Sequence, residues 1–370
     1  MITVRPTAAG DLGGLSTLFE ARFGHAITAE EWTWKYQHLP GTSRSLVAVD
    51  GAGTVLAHAG LVRLPARWGG GLGGLWQLVD FAGRAGAAGG GLRPPLLEVG
   101  RQLLSDLPVP PDVPWMFGFP NVRHFRLGAR VFGYRHHSSL AQLAGPLPDV
   151  PAAAAAAGCR LETGDSCGDW AAAIWERCAV RGIDRSVAFL NWRYWARPRR
   201  YYRFYRLWNE AGTEGLAVFA FVGEEAWAAE LWLPPAGEWY SAMLAVAADL
   251  RAAGLRTWRF WPLPAAAPGC TAALGTGAPL GSGAPPAGGL LRQLGLRAEG
   301  EPLFVAMISR DAETAGTAAG GDASAPGRAN AGDAAAGAAA GTGADGVAPE
   351  PLAPAAAAGF YYAMGDYDVV

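Results

Sequence analysis

The chain of 370 residues is short of charge and shorter still of lysine. Asp, Glu, Lys and Arg make up 17% of it, and Lys35 is its single lysine. A formal net charge of −2 supplies no global field to steer it toward nucleic acid or an acidic membrane surface. Arginine in place of lysine, 52 glycines and long alanine tracts read as a high-GC coding bias, so a lone arginine carries less functional weight than usual. Cysteine is scarce as well. Cys159, Cys167, Cys178 and Cys270 match no zinc spacing, and no secretory signal precedes them, which favours free thiols in a reducing compartment. No apolar run of about 18 residues is present to span a membrane, and Ile2–Arg5 reads as a strand rather than a signal peptide. The expected location is the cytoplasm.

What the chain does have is concentrated between Leu75 and Leu104. Leu75–Phe81 is an apolar run with one carboxylate, Asp80, and suits a strand buried on both faces. Gly83, Gly86, Gly89, Gly90 and Gly91 follow, then a helical pattern over Leu92–Leu104. A strand, a glycine loop and a helix N-terminus together make an anion site suited to a diphosphate. The same glycines are also what a flexible loop in a high-GC gene would contain.

Along the rest of the chain, Asp11 is placed to cap a first helix, and Thr28-x-x-Glu31 is a capping box for a second carrying Trp32, Trp34 and Tyr36. Leu46–Asp50 and Val55–Arg63 read as strands joined by a hairpin at Asp50–Gly53. Trp115–Phe119 and Tyr134–Leu143 are further strands, and Asp169–Arg181 and Trp239–Ala253 read as helices. This order predicts a mixed sheet with helices on both faces.

The pattern then repeats. Trp34-Lys35-Tyr36 with Pro40 is answered, 158 residues on, by Trp192-Arg193-Tyr194 with Pro198. Ala52-Gly53-Thr54 is answered by Ala211-Gly212-Thr213, and Leu127-Gly128 by Leu294-Gly295. Matches in this order indicate an internal duplication. It divides the chain into a first domain 1–145, a Pro/Ala linker 146–158 and a second domain 159–310 interrupted by low complexity at 265–289. An Ala/Gly tract, 311–359, then leads to a returning strand at 360–370. Trp34, Tyr36, Trp192 and Tyr194 read as core or inter-domain packing. His136-His137 has no third ligand nearby, so no metal is expected.

These elements, with VRPTAAGDLGGLSTLF at the N-terminus and FPNVRHFRLGA at 119–129, resemble the GNAT N-acyltransferase superfamily. FGFPN, the W-(K/R)-Y repeat, FLNWRY and the terminal GDYDVV look like tandem-GNAT proteins of bacterial polysaccharide gene clusters. The resemblance implies an α/β (α+β) fold of two tandem GNAT-like domains, each a mixed, mostly antiparallel twisted sheet flanked by helices. It also implies acetyl-CoA or another acyl-CoA as co-substrate, held where the sheet splays, with Val79, Phe81, Ala82 and Asn121 as contacts. Arg84, Gly86, Gly89 and Gly90 would meet its diphosphate, although their glycine spacing departs from the family's loop. Asp80 would be the base that deprotonates an amine. His124, four residues before Gly128, would be the acid that protonates the leaving thiolate. The same count in the second copy gives Leu291, which has no proton to give, so the first half is the expected site.

The acceptor implied is a small-molecule or glycan amine, such as an amino sugar of cell-surface polysaccharide, with no nucleic-acid partner expected. Two other readings remain at this point: a catalytically degenerate pair acting as scaffold or acyl-CoA sensor, and a Fem-like aminoacyl transferase using the arginines at 197, 199, 200 and 203.

Overall fold

The structure is a computed structural model that describes residues 2–37, 43–68, 71–86, 94–105, 115–150, 159–178, 181–233, 239–261, 289–300, 303–309 and 360–361. In the first half, β1 (Thr3–Pro6) leads into α1 (Leu12–Phe23) and α2 (Ala29–Tyr36). Three long antiparallel neighbours follow: β2 (Arg44–Val49), β3 (Val55–Trp68) and β4 (Gly71–Gly83). Helix α3 (Pro95–Ser105) crosses over to β5 (Trp115–Gly118), which runs parallel to β4. Helix α4 (Val122–Val131) and β6 (Arg135–Leu140) come next.

The second half repeats the plan after β7 (Leu143–Pro146) and β8 (Arg160–Gly164). It comprises α5 (Asp169–Cys178), β9 (Arg181–Ile183) and α6 (Val187–Leu190), which runs on as a π-helix over Asn191–Trp195. Then come antiparallel β10 (Tyr202–Trp208), β11 (Glu214–Val222) and β12 (Glu225–Trp232). Helix α7 (Tyr240–Ala252) crosses over to β13 (Thr257–Phe260), parallel to β12. Last are α8 (Gly289–Gln293), β14 (Arg297–Ala298), β15 (Leu303–Ser309) and β16 (Phe360–Tyr361).

Two mostly antiparallel sheets result. One has the order β1-β2-β3-β4-β5-β15-β6, with β9 attached to β3 and β16 to β9; the other is β14-β7-β13-β12-β11-β10-β8. The sheets do not divide the chain where its sequence does. Strand β7, at the end of the first half, pairs with β13 in the second sheet. Strand β15, from the second half, lies between β5 and β6 in the first. The boundaries expected at 145 and 310 therefore cut across a reciprocal strand exchange. Continuous strand character over Tyr134–Leu143 concealed the break, since β6 and β7 are separated by only Ala141 and Gln142.

The duplication is legible in atomic detail. Asp50 Oδ1 accepts from the Thr54 amide at 2.8 Å, and Asn209 Oδ1 accepts from the Thr213 amide at 2.9 Å, closing the same turn in each half. At the junction, the Trp34 and Trp192 rings stack at 5.1 Å. Trp34 Nε1 donates to the Trp192 carbonyl at 2.9 Å, and Trp192 Nε1 to the Trp34 carbonyl at 3.2 Å. Around this pair a single buried core joins Val62 and Leu75 of the first half to Phe189, Phe204 and Trp232 of the second. Gly295 breaks the parallel: it follows α8 with φ 80°, whereas Gly128 is buried within α4.

The Thr28 capping box forms as the spacing predicts: Thr28 Oγ1 accepts from the Glu31 amide, and Glu31 Oε2 from the Thr28 amide. Asp11 differs from expectation. It stands at the α1 N-cap, but its carboxylate accepts instead from the Ala8 amide and from both guanidinium nitrogens of Arg5 at 2.7 Å. A bidentate charged pair outcompetes a neutral helix-end amide. The returning segment is described only at Phe360 and Tyr361, which pair in parallel with Arg181 and Gly182; the low-complexity tracts lie outside the described residues.

Candidate active site

Strands β4 and β5 are paired at Trp76–Met116 and Gln77–Phe117, and the pairing stops there. Beyond that point the two chains line opposite walls of a cavity of about 270 Å³: Leu78, Val79, Asp80 and Phe81 on one side, Gly118, Phe119, Pro120 and Asn121 on the other. Parting strands leave backbone amides and carbonyls unpaired by the sheet, and an extended ligand can pair with such an edge.

A bulge aims Asp80 into this opening. The β3–β4 register shifts between His58 and Gly60, and Asp80 takes up the extra residue with a left-handed φ of 55°. Its carboxylate accepts from Lys35 Nζ at 2.8 Å and from the Tyr36 hydroxyl at 2.6 Å, both from α2. Tyr36 reaches it across Gly60, where a Cβ would come within 2.1 Å of the hydroxyl oxygen. Beneath the bulge, His58 is fully buried and its Nδ1 lies 2.9 Å from the Asp80 carbonyl oxygen. Since a carbonyl only accepts, Nδ1 carries the proton, and Nε2 has no partner among the described residues. Burial pushes the His58 pKa down, partly offset by the Asp80 charge.

The opposite end of the cavity is built on α4. Asn121 caps this helix, its Oδ1 accepting from the His124 amide at 2.8 Å. His124 packs against Phe81 at 5.2 Å between ring centroids, and its Nε2 is 3.4 Å from the Tyr134 hydroxyl. Helix α4 lies so close to Tyr134 that a Cβ on Gly128 would stand 2.2 Å from its ring. Burial lowers the His124 pKa and raises that of Tyr134, so both are neutral at neutral pH.

Of the residues singled out in the sequence, the cavity brings together Val79, Asp80, Phe81, Asn121 and His124. Ala82 is buried in the core around α1, and Arg84 Nε donates to the Val55 carbonyl at 3.3 Å. Gly86 is exposed with φ 72°, while Gly89 and Gly90 lie outside the described residues. Lys35, Tyr36, His58 and Tyr134 are the functional candidates that sequence reasoning passed over. In sequence the repeated Trp-(Lys/Arg)-Tyr reads as packing, and only its middle residue, the sole lysine of the chain, sets it apart. Arg197 brings the second half to this cavity: its guanidinium lies 5.1 Å from the Trp34 ring, and it donates to the Tyr202 hydroxyl at 2.9 Å.

The second half keeps the carboxylate and seals it. Glu230, beside a matching register shift in β12, accepts from the Tyr194 hydroxyl at 2.6 Å and Trp232 Nε1 at 3.0 Å. Arg185 Nε lies 2.8 Å from it, and both side chains are fully buried. Arg193, the counterpart of Lys35, turns instead to the faces of Trp34 and Trp192.

Among solved structures, the chain is similar to a tandem GNAT protein from the clavulanic acid biosynthesis pathway, at 12% identity and a TM-score of 0.55, over 84% of this chain and 98% of that one. A GCN5-related N-acetyltransferase from Kribbella flavida matches at 14% identity and 0.52, over 84% and 73%. The GCN5-related glucosamine N-acetyltransferase region of a fungal multi-domain GH3 β-N-acetylglucosaminidase matches at 11% and 0.51, over 83% and 38%. The fold is that of the tandem GCN5-related N-acetyltransferases. No protein-family model and no curated protein matches the sequence. No helix among the described residues is long and apolar enough to cross a membrane.

Proposed function

We propose that the chain is an N-acyltransferase that moves an acyl group from acyl-CoA to an amine in the cavity of its first half. The observation that carries this reading is Asp80: a carboxylate on a left-handed bulge, at the point where β4 and β5 part, in a cavity lined by both strands. Acyl-CoA would enter between the strands, its pantetheine pairing with β4 and its thioester near the bulge. Asp80 takes a proton from the acceptor amine, whose nitrogen attacks the thioester carbon. The leaving sulfur takes a proton from the Tyr134–His124 pair. Burial leaves His124 a neutral imidazole rather than an acidic imidazolium and holds the Tyr134 hydroxyl in its protonated form.

The acceptor we propose is an amino sugar, as in cell-surface polysaccharide assembly. Phe23 and Phe119 bring aromatic side chains to the cavity wall for a sugar to pack on, while His25, Glu31 and Arg197 offer polar atoms for its hydroxyls. One structural neighbour is itself a glucosamine N-acetyltransferase region.

Release of free CoA thiol from acetyl-CoA, followed over a panel of amino sugars, amino acids and polyamines, tests both parts. At least one amino sugar should turn over, and Asp80→Asn should lower kcat by about 10²–10⁴ with acetyl-CoA affinity retained. Undiminished turnover in Asp80→Asn would remove Asp80 as the base.

A further inference from the structure

An acceptor amine in this cavity must come within hydrogen-bonding reach of Asp80, and one amine of the chain already does. Lys35 Nζ lies 2.8 Å from Asp80 Oδ1. The side chain is 9% exposed, and Lys35 lines the same cavity as Leu78–Phe81 and Phe119–Asn121. It sits there on α2, whose start is fixed by the Thr28 capping box and whose Trp34 and Tyr36, on either side of Lys35, are anchored to Trp192 and Asp80. The ammonium is therefore held in place, with the candidate base as its partner.

We infer that Lys35 is an acyl acceptor in cis: the protein acylates its own only lysine from acyl-CoA bound in the β4–β5 opening. The inference rests on the acyl-CoA reading above. Asp80 accepts one proton from Lys35 Nζ, and the freed lone pair forms an N–C bond to the thioester carbonyl carbon. The C–S bond breaks, and the thiolate takes the second amine proton, directly or through Tyr134. The products are an Nε-acyl-lysine, free CoA thiol and one proton, which Asp80 releases to solvent.

An amide is not an activated acyl donor, so the product is an end state and not a relay to a second acceptor. It also removes the cation beside Asp80 and places an acyl group at the acceptor end of the cavity. Self-acylation thus makes the enzyme responsive to acyl-CoA that accumulates without acceptor.

The purified full-length chain, incubated with acetyl-CoA alone, is followed by intact-mass spectrometry and peptide mapping. Calorimetry on the same sample reports acetyl-CoA binding. The expected result is one acetyl group per chain, mapped to Lys35, formed at a rate that saturates with acetyl-CoA and falls at least about tenfold in Asp80→Asn. Lys35→Arg should carry none; should that variant fail to fold, the map of the unaltered chain decides alone. Binding without an adduct, an adduct only on the N-terminal amine, or a Lys35 adduct formed equally fast in Asp80→Asn would each overturn the inference and leave acyl-CoA binding intact. Absence of binding would overturn both.

Discussion

Asp80 holds a left-handed backbone that costs a non-glycine residue about 1–3 kcal/mol, least for Asp and Asn. Three contacts over-determine it: Lys35 and Tyr36 on the carboxylate, His58 on the carbonyl. Asparagine at this position keeps both the backbone preference and the shape, which makes Asp80→Asn a cleaner probe of charge than alanine. The burial of His58 has a consequence for stability. Its pKa in the folded protein lies below the ordinary value, as do those of His124 and His136, each for the same reason of desolvation. A histidine of this kind binds its proton more readily in the unfolded chain. Its stabilisation is complete above an unfolded pKa of about 6.5 and is lost as pH falls toward the folded value. Melting temperature should therefore decline as pH is lowered from about 6.5 to 5.5. The slope should be at most about 1.4 kcal/mol per pH unit per histidine, and His58→Gln should flatten it. A melting temperature that rises over this interval would contradict the neutral, buried assignment.

At the scale of elements, the junction of α2 with the π-helical turn at Asn191–Trp195 rests on two tryptophans that exchange indole-to-carbonyl hydrogen bonds. Trp34→Ala and Trp192→Ala should each destabilise the chain by about 3–5 kcal/mol in urea unfolding. The double variant should fall short of the sum by at least about 0.5 kcal/mol, because each ring loses the same partner. Additive losses would mean that the two rings are independent packing residues. The constant spacing of these residues betrayed the duplication, and Trp34 and Trp192 were legible as core or inter-domain packing. What periodicity could not carry is the bulge. The apolar run Leu75–Phe81 says that the strand is buried on both faces, but not that one of its residues stands on a bulge, its carbonyl against a histidine of the neighbouring strand. Glu230 escaped notice for a related reason. It lies in the apolar run Trp227–Leu233, and its cationic partner, Arg185, is brought to it only by tertiary folding.

For the whole molecule, sheet composition was the least legible feature. The sequence pattern singled out no strand at β15, and its hydrogen-bond partners, β5 and β6, are more than 160 residues earlier in the chain. The exchange of β7 for β15 ties the halves through main-chain ladders as well as through the shared core, so the first-half cavity includes Ala306 of β15 and Arg197 of the second half. A second half that seals its own carboxylate while completing the other's cavity fits a division of labour: one site, two domains. Calorimetric titration of acetyl-CoA into the full-length chain tests this most directly, with Gly118→Val as its partner measurement. Gly118 is the first β5 residue past the last β4–β5 pair, and a Cβ there already meets Leu78 at 3.3 Å. The account predicts one saturable site, its affinity weakened at least about tenfold, or about 1.4 kcal/mol, in Gly118→Val. No binding by the unaltered chain, or equal binding by Gly118→Val, would place acyl-CoA outside the β4–β5 opening and contradict the account.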